Sequence, residues 1–183
     1  MSGSAFYDVG PLEQIAINLF YGWGYNFYRK ENQLRADDLL VRAKVGLLLA
    51  SARKSVETAE SDYRRTFLPP PSREKPRPDA AAVAGSQAIE RLSRAIGAIA
   101  GQISAQPVPE NDRMTQRYRQ EAATLATLME FDHQLVGQCD LLRSMVERQD
   151  GPSILNKLAA LEAGLEAIRN SLHKREAVLH DRA

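Results

Sequence analysis

The stretch Ile89-Glu-Arg-Leu92-Ser-Arg-Ala-Ile96-Gly-Ala-Ile99-Ala-Gly-Gln-Ile103 decides the fold. Its large aliphatic residues recur at alternating steps of three and four, which places them on one face of an α-helix as the seam of a heptad repeat. The positions between them are rich in alanine and glycine, so a neighbouring helix can approach closely. The stretch therefore predicts a helix over residues 79–105 that packs against other helices.

Prolines divide the rest of the chain into segments that share this helical periodicity. Five of the nine prolines lie in residues 69–78, which predict an extended connector. Helices are predicted over residues 11–33, 36–67, 110–149 and 152–181, and no Val/Ile/Thr/Tyr alternation typical of strands occurs between the breaks. We therefore predict one all-α domain over residues 1–183, an up-and-down bundle of four long amphipathic helices plus an amino-terminal aromatic-rich helix. Short links would make the last three helices antiparallel neighbours.

Each predicted helix has an apolar seam. The seam of the helix over residues 36–67 is predicted at Leu40, Ala43, Leu47, Ala50, Ala59, Tyr63 and Phe67. The helix over residues 110–149 carries Cys139 and Asp132 among its seam positions. Cys139 is expected to act as a small buried hydrophobe. For Asp132 two alternatives stay open: a buried carboxylate that pairs with an arginine or fixes register, or a helix twist that turns it outward.

Composition limits the classes of partner. The 183 residues include 24 Lys and Arg against 23 Asp and Glu, so the formal net charge of +1 gives no global field for nucleic acid, and we predict no nucleic-acid role. A single cysteine favours a cytoplasmic protein, and the absence of lysine and arginine from the first ten residues disfavours a signal peptide. The uncharged stretch over residues 14–28 is too short and too polar to span a bilayer, although it suits a membrane surface.

Candidate catalytic and metal-binding patterns are sparse. No Gly-x-Ser-x-Gly elbow or glycine-rich phosphate loop is present, so enzyme activity stays open but is not favoured, and no cofactor is predicted. One Glu-x-x-His pair, Glu130 and His133, lacks the second pair that a di-iron bundle needs. His173, Glu176 and His180 share one helical face and form a candidate metal set. The favoured reading is the simpler one, basic and polar residues at a helix end, so no metal is predicted.

An aromatic cluster is the most unusual local feature. One Trp, six Tyr and five Phe make twelve aromatic residues, and half of them lie within residues 20–28. On a helical wheel they separate into two faces. The apolar face contains Leu12, Ala16, Leu19, Phe20, Trp23 and Phe27. The opposite face contains Ile17, Tyr21, Tyr25 and Tyr28.

Three readings of the tyrosine face compete: a surface packed within the bundle, a docking face for a partner protein or a second copy with Arg29 at its rim, and a pocket or membrane-surface site. We predict a non-catalytic, oligomeric bundle that acts through protein–protein interaction as an adaptor, accessory or assembly subunit. A small-molecule or metal-binding bundle and a peripheral membrane protein are the alternatives. The predicted partner- or ligand-binding residues are Tyr21, Trp23, Tyr25, Tyr28 and Arg29.

Overall fold

The computed structural model describes residues 5–21, 34–73, 76–106 and 122–180. These ranges contain helices and no strand, which confirms the predicted all-α bundle. A 3-10 turn at Ala5–Tyr7 precedes six α-helices. The helices are α1 (Val9–Tyr21), α2 (Leu34–Phe67), α3 (Ala80–Ala105), α4 (Ala122–Val146), α5 (Gly151–Asn156) and α6 (Leu158–His180).

Successive long helices run in opposite directions. Helix α3 returns along α2, since Arg53 lies beside Gly97 and Tyr63 beside Gly85. Helix α6 returns along α4, whose Asp132 contacts Arg175 near the end of α6. The described chain thus has a connector end, with residues 68–73 and 76–79 and the turn between α4 and α5, and a distal end. At the distal end α1, α3 and α6 finish and α2 and α4 begin.

The four long helices form a ring in the order α2, α3, α6, α4, and α1 packs on the outside against α4. The prediction that the last three helices are neighbours is therefore wrong for α3 and α4. In the described ranges α3 packs chiefly against α2, whereas α4 is shared among α1, α6 and α2, and α3 and α4 have little contact with each other. The reason is that α2 has a broad apolar face that serves both helices, with Val41, Val45, Leu49, Ala52 and Val56 fully buried.

Helix α3 confirms the seam from which the fold was predicted. Asp79 caps its amino end by accepting hydrogen bonds from the backbone N–H groups of Ala81 and Ala82, both at 3.3 Å. The five seam residues are all buried: Ile89, Leu92, Ile96, Ile99 and Ile103. The predicted bounds, 79–105, differ from the observed ones only by the capping residue.

The seam predicted for α2 is wrong in its first half. Ala43, Leu47 and Ala50 are exposed, and Leu47 keeps 65% of its surface accessible. Ala59 and Tyr63 are buried, because the nine residues from Ala50 to Ala59 turn the helix by about two and a half revolutions, which leads to the opposite face. The buried face is the broader one, so it is the face that the bundle covers.

The predicted helix over residues 152–181 is interrupted once, at Lys157, which separates α5 from α6. Asp150 caps α5 by accepting from the Ser153 N–H at 2.9 Å, and Pro152 lies in its first turn. Lys157 has φ −99° and ψ 4°, and its N–H lies near the carbonyls of both Ser153 and Ile154. The last turn of α5 is thereby tightened, and α6 restarts at Leu158. Helix α4 is the described part of the helix predicted over residues 110–149. Residues 110–121 of that prediction lie outside the described residues.

Candidate functional site

Most of the predicted binding residues lie outside the described residues. Trp23, Tyr25, Tyr28 and Arg29 fall in residues 22–33, and the second half of the predicted helix over residues 11–33 falls there too. Tyr21 is the last residue of α1, and its backbone alone is described. The structure therefore constrains this site through α1 and the bundle surface that holds it.

A close backbone approach fixes α1 on α4. Leu12 and Ala16 are buried, as the apolar face of the wheel predicts. A Cβ placed on Gly137 would collide with the carbonyl oxygen of Leu12 and lie 2.9 Å from its Cα. Only glycine leaves room for the α1 backbone at this point. Helix α1 is thus held along α4 by its backbone as well as by its side chains.

The segment just before α1 adds a second anchor. The buried side chain of Gln138 donates an Nε2–H to the carbonyl oxygen of Phe6 at 2.9 Å. The Phe6 ring is buried against α6, where a Cβ on Gly164 would lie 2.5 Å from its Cζ atom. The contributions of Phe6, Gly137 and Gln138 were not predicted. The only sign in the sequence was the glycine and the glutamine that directly precede Cys139, a predicted seam residue.

A buried ion pair joins α4 to α6. Arg175 donates its Nε–H to Oδ1 of Asp132 at 2.6 Å, and the two side chains are 5% and 2% exposed. This geometry selects the first of the two alternatives for Asp132, the buried carboxylate paired with an arginine. A charge-assisted hydrogen bond within a desolvated core is geometrically demanding, so the pair fixes how α6 sits on α4.

His133 lies next to this pair and faces α1. Its Nδ1 is 3.9 Å from a carboxylate oxygen of Glu13. Burial lowers the pKa of His133, and the negative charges of Glu13 and Asp132 partly offset that effect. Glu130, the other member of the Glu-x-x-His pair, is exposed, so its side chain is not enclosed with that of His133.

The candidate metal set lies at the distal end of α6. His173 is 90% exposed, and its Nδ1 is 3.7 Å from Oε2 of Glu176. Glu176 also accepts a hydrogen bond from Gln106 Nε2 at 2.7 Å, which ties α6 to the end of α3. The side chain of His180 lies outside the described residues. Within the described ranges, no three His, Cys, Asp or Glu side chains converge to hold a metal ion.

Two further reactive side chains are enclosed. Cys139 is fully buried, as predicted, and burial raises the pKa of its thiol. Such a thiol is a poor nucleophile, because the thiolate is the reactive form. Lys44 on α2 is 8% exposed, and burial lowers the pKa of its amine while Asp140 on α4 opposes the change.

No protein-family model matches the chain, and neither a curated protein nor a solved structure is significantly similar to it. None of the helices in the described part of the chain is long and apolar enough to cross a bilayer. The observed class is thus an all-helical bundle with an externally packed first helix. What the bundle does has to be argued from its surfaces.

Proposed function

We propose that this chain is a non-catalytic helical bundle that acts by binding another protein, as an adaptor, accessory or assembly subunit of the cytoplasm. Its binding residues are the aromatic side chains at and beyond the end of α1. Tyr21, Trp23, Tyr25 and Tyr28 supply ring area together with hydrogen-bonding groups, and Arg29 supplies a charge at the rim. Trp, Tyr and Arg are the residues that most often dominate the binding free energy of interfaces.

The observation that carries this proposal is the anchoring of α1 on α4. Leu12 and Ala16 are buried, and Gly137 brings the two backbones together, so the bundle occupies one face of α1. Nine residues separate Leu12 from Tyr21, and helix geometry puts position 21 on the opposite side of α1. This supports a binding face that begins at position 21, on the side of α1 that the contact with α4 leaves unoccupied.

The roles of the buried polar groups also favour a non-catalytic protein. Asp132 and Arg175 join two helices, Gln138 holds the carbonyl of Phe6, and Cys139 is packed in the core. Each of these groups has a packing role and lies away from solvent. A binding surface on a rigid bundle needs no reactive side chain, and the aromatic residues provide the chemistry that such a surface uses.

The test is affinity capture from the native organism with the wild-type chain and a variant carrying Tyr21→Ser, Tyr25→Ser and Tyr28→Ser. We expect the wild type to retain a specific protein and the variant to lose it, with nearly unchanged helical circular dichroism. Tyr7→Ser is the matched control, because Tyr7 is a 50% exposed tyrosine just before α1. The control should retain the partner.

Three results would contradict the proposal. Equal capture by the triple variant would remove the tyrosine face from the interaction. Iron or a chromophore bound to the purified protein would support the small-molecule or metal-binding alternative. Sedimentation with phospholipid vesicles that is lost in Trp23→Ala would instead support a role at the membrane surface.

A further inference from the structure

Helix α2 is apolar on two opposite faces in its first half. Residues 39–52 read Leu-Leu-Val-Arg-Ala-Lys-Val-Gly-Leu-Leu-Leu-Ala-Ser-Ala, with Arg42 and Lys44 as the two charges. One face is covered by α3 and α4. The other face, here called the outer seam, consists of Leu40, Ala43, Leu47 and Ala50. A helix that is apolar all round is normally covered on all sides.

The two charged residues of this stretch do not shield the outer seam. Arg42 donates a hydrogen bond from Nη1 to the carbonyl oxygen of Gln106, at the end of α3. Lys44 is 8% exposed and interacts with Asp140 of α4. Both side chains are thus engaged with neighbouring helices of the bundle. Leu47 stays 65% exposed, and the adjacent Leu39 stays 47% exposed.

The outer seam is complementary to itself in one orientation. Its residues alternate in size, Leu40, Ala43, Leu47, Ala50, at steps of three and four, which is the spacing of a coiled-coil seam. An antiparallel pair centred on residue 45 places Leu40 opposite Ala50 and Ala43 opposite Leu47. Each large side chain then meets a small one, as knobs-into-holes packing requires.

Charge follows the same symmetry. Asp37 and Asp38 precede the seam, whereas Arg53 and Lys54 follow it. The antiparallel pair centred on residue 45 sets the acidic positions 37 and 38 of one copy near the level of the exposed Lys54 of the other, while Arg53 also pairs with Glu57 of its own helix at 2.7 Å. A parallel pair would set acidic positions level with acidic ones and basic with basic. Like charges at the flanks disfavour a coiled-coil pairing, and opposite charges favour it.

We propose that the outer seam of α2 binds the outer seam of a second copy of this chain in antiparallel orientation. The two-fold axis makes the contact isologous and closed, so it yields a dimer and not a filament. The interface involves a few turns of one helix, so the dimer is weak and depends on protein concentration. This inference does not depend on the aromatic residues that carry the proposed function.

Sedimentation velocity from about 10 μM to about 500 μM, a range suited to a small interface, measures the association. We expect the wild type to shift from monomer to dimer. Leu47→Glu should weaken the association by about tenfold or more, because each dimer would then carry two charges in an apolar contact. Since Leu47 is already exposed, the variant should keep the wild-type unfolding midpoint. A wild type that stays monomeric throughout overturns the proposal.

Cysteine crosslinking tests the orientation without altering the seam residues. A side chain at Gly46 has open space, since a Cβ there meets nothing within 4 Å, and Cys139 is buried. Gly46→Cys should crosslink into a dimer under a short bis-maleimide. Gly101→Cys on α3 is the matched control, because its Cβ is equally unobstructed. Equal crosslinking of the two variants overturns the proposal.

Ser61→Cys separates the two orientations. Ser61 is exposed and lies on the same side of α2 as Ala43. In the antiparallel dimer the two copies of position 61 are about 48 Å apart along the helix axis, at about 1.5 Å per residue. Crosslinking of Ser61→Cys as efficient as that of Gly46→Cys would indicate a parallel pair and overturn the proposal. If the protein does not self-associate but sediments with anionic vesicles, and Leu47→Glu abolishes that sedimentation, the outer seam binds lipid and the proposal is overturned as well.

Discussion

At the scale of single residues, the pair of Asp132 and Arg175 is the most demanding contact in the core. A carboxylate and a guanidinium both lose hydration when they are buried, and the loss is offset only while each is held by the other. The 2.6 Å hydrogen bond between Nε and Oδ1 provides that compensation. The pair is therefore a strong constraint on which residues of α4 and α6 can meet.

Arg175→Met is expected to lower the free energy of unfolding by about 3–5 kcal/mol, because Asp132 would remain buried without its guanidinium. Urea denaturation followed by circular dichroism measures the change. Arg169→Met is the control, since its ion pair with Glu166 is exposed and is worth about 0–1 kcal/mol. Adding Asp132→Leu to Arg175→Met should recover most of the loss. If Arg175→Met loses no more stability than Arg169→Met, the conclusion that Asp132 and Arg175 form a buried pair is contradicted.

His133 makes stability depend on pH. Its pKa is lowered in the folded state by burial, so the unfolded chain binds the proton more readily. The stabilising contribution is fully present above the unfolded pKa of about 6.5 and is lost as pH falls toward the folded pKa. His133→Gln should therefore show a shallower loss of stability than the wild type between about pH 7 and about pH 5.

The matched variant for this pH effect is Glu13→Gln. The negative charge of Glu13 raises the pKa of His133, so its removal should lower that pKa further and steepen the wild-type dependence. Unfolding midpoints at several pH values distinguish the three proteins. Identical slopes for the wild type and His133→Gln would show that the imidazole does not contribute.

At the scale of helices, the contact between α1 and α4 depends on a glycine, Gly137, where any side chain would prevent the close approach. Gly137→Ala would place a methyl group against the Leu12 carbonyl, and the α1 backbone is less able to yield than a side chain. We expect a loss of about 1–3 kcal/mol, as for other overpacked sites. Hydrogen exchange should show faster exchange of α1 amides than in the wild type.

Gly101→Ala is the control for that substitution. Gly101 also lies within a helix, but a Cβ there meets nothing within 4 Å. The exchange of Gly for Ala should therefore stabilise the protein by up to about 1 kcal/mol through helix propensity. Opposite signs of the stability change for the two substitutions would isolate the packing effect. Stabilisation by Gly137→Ala would instead show that α1 does not press on α4.

The helices also show what periodicity can and cannot predict. Helix α3 was predictable because it has one apolar stripe, and Ile96 and Ile99 lie on it unambiguously. Helix α2 has two such stripes, and choosing between Leu47 and Leu49 requires knowing which face its neighbours cover. The apolar seam of the predicted helix continues across Lys157, so the sequence pattern does not show that the helix is interrupted there. Local pattern fixes the existence of a helix more reliably than its orientation.

The candidate site was predictable only in part for a similar reason. The helical wheel correctly predicted that Leu12 and Ala16 are buried, because their spacing depends on local periodicity alone. Gly137 and Arg175 became significant through tertiary partners that are 125 and 43 residues away in the sequence, Leu12 and Asp132 respectively. No spacing rule links such positions. Whether the tyrosine face binds a partner stays a prediction.

At the scale of the whole molecule, alternating helix directions make the two ends of the bundle different. The connector end is closed by Tyr63 of α2, which packs between α3 and α5. A Cβ on Gly85 would lie 2.5 Å from the Tyr63 hydroxyl, and a Cβ on Gly151 would lie 2.6 Å from its Cδ2 atom. One ring thus sets the spacing of three helices, and the Phe67 ring lies beside it, tilted by 34°, at a centroid distance of 4.6 Å.

This arrangement predicts coupling between Tyr63 and Gly151. Tyr63→Ala should lower the free energy of unfolding by about 3–5 kcal/mol, since a large aromatic side chain leaves the core. Gly151→Ala alone should lower it by about 1–3 kcal/mol, because the added methyl group meets the ring. In the Tyr63→Ala background the same substitution should have almost no effect, because the space that the ring filled accepts the methyl group. A double-mutant cycle from urea denaturation measures this coupling. If the two losses simply add, Tyr63 does not set the approach of α5 to α2, and the connector end is held by the surrounding aliphatic core instead.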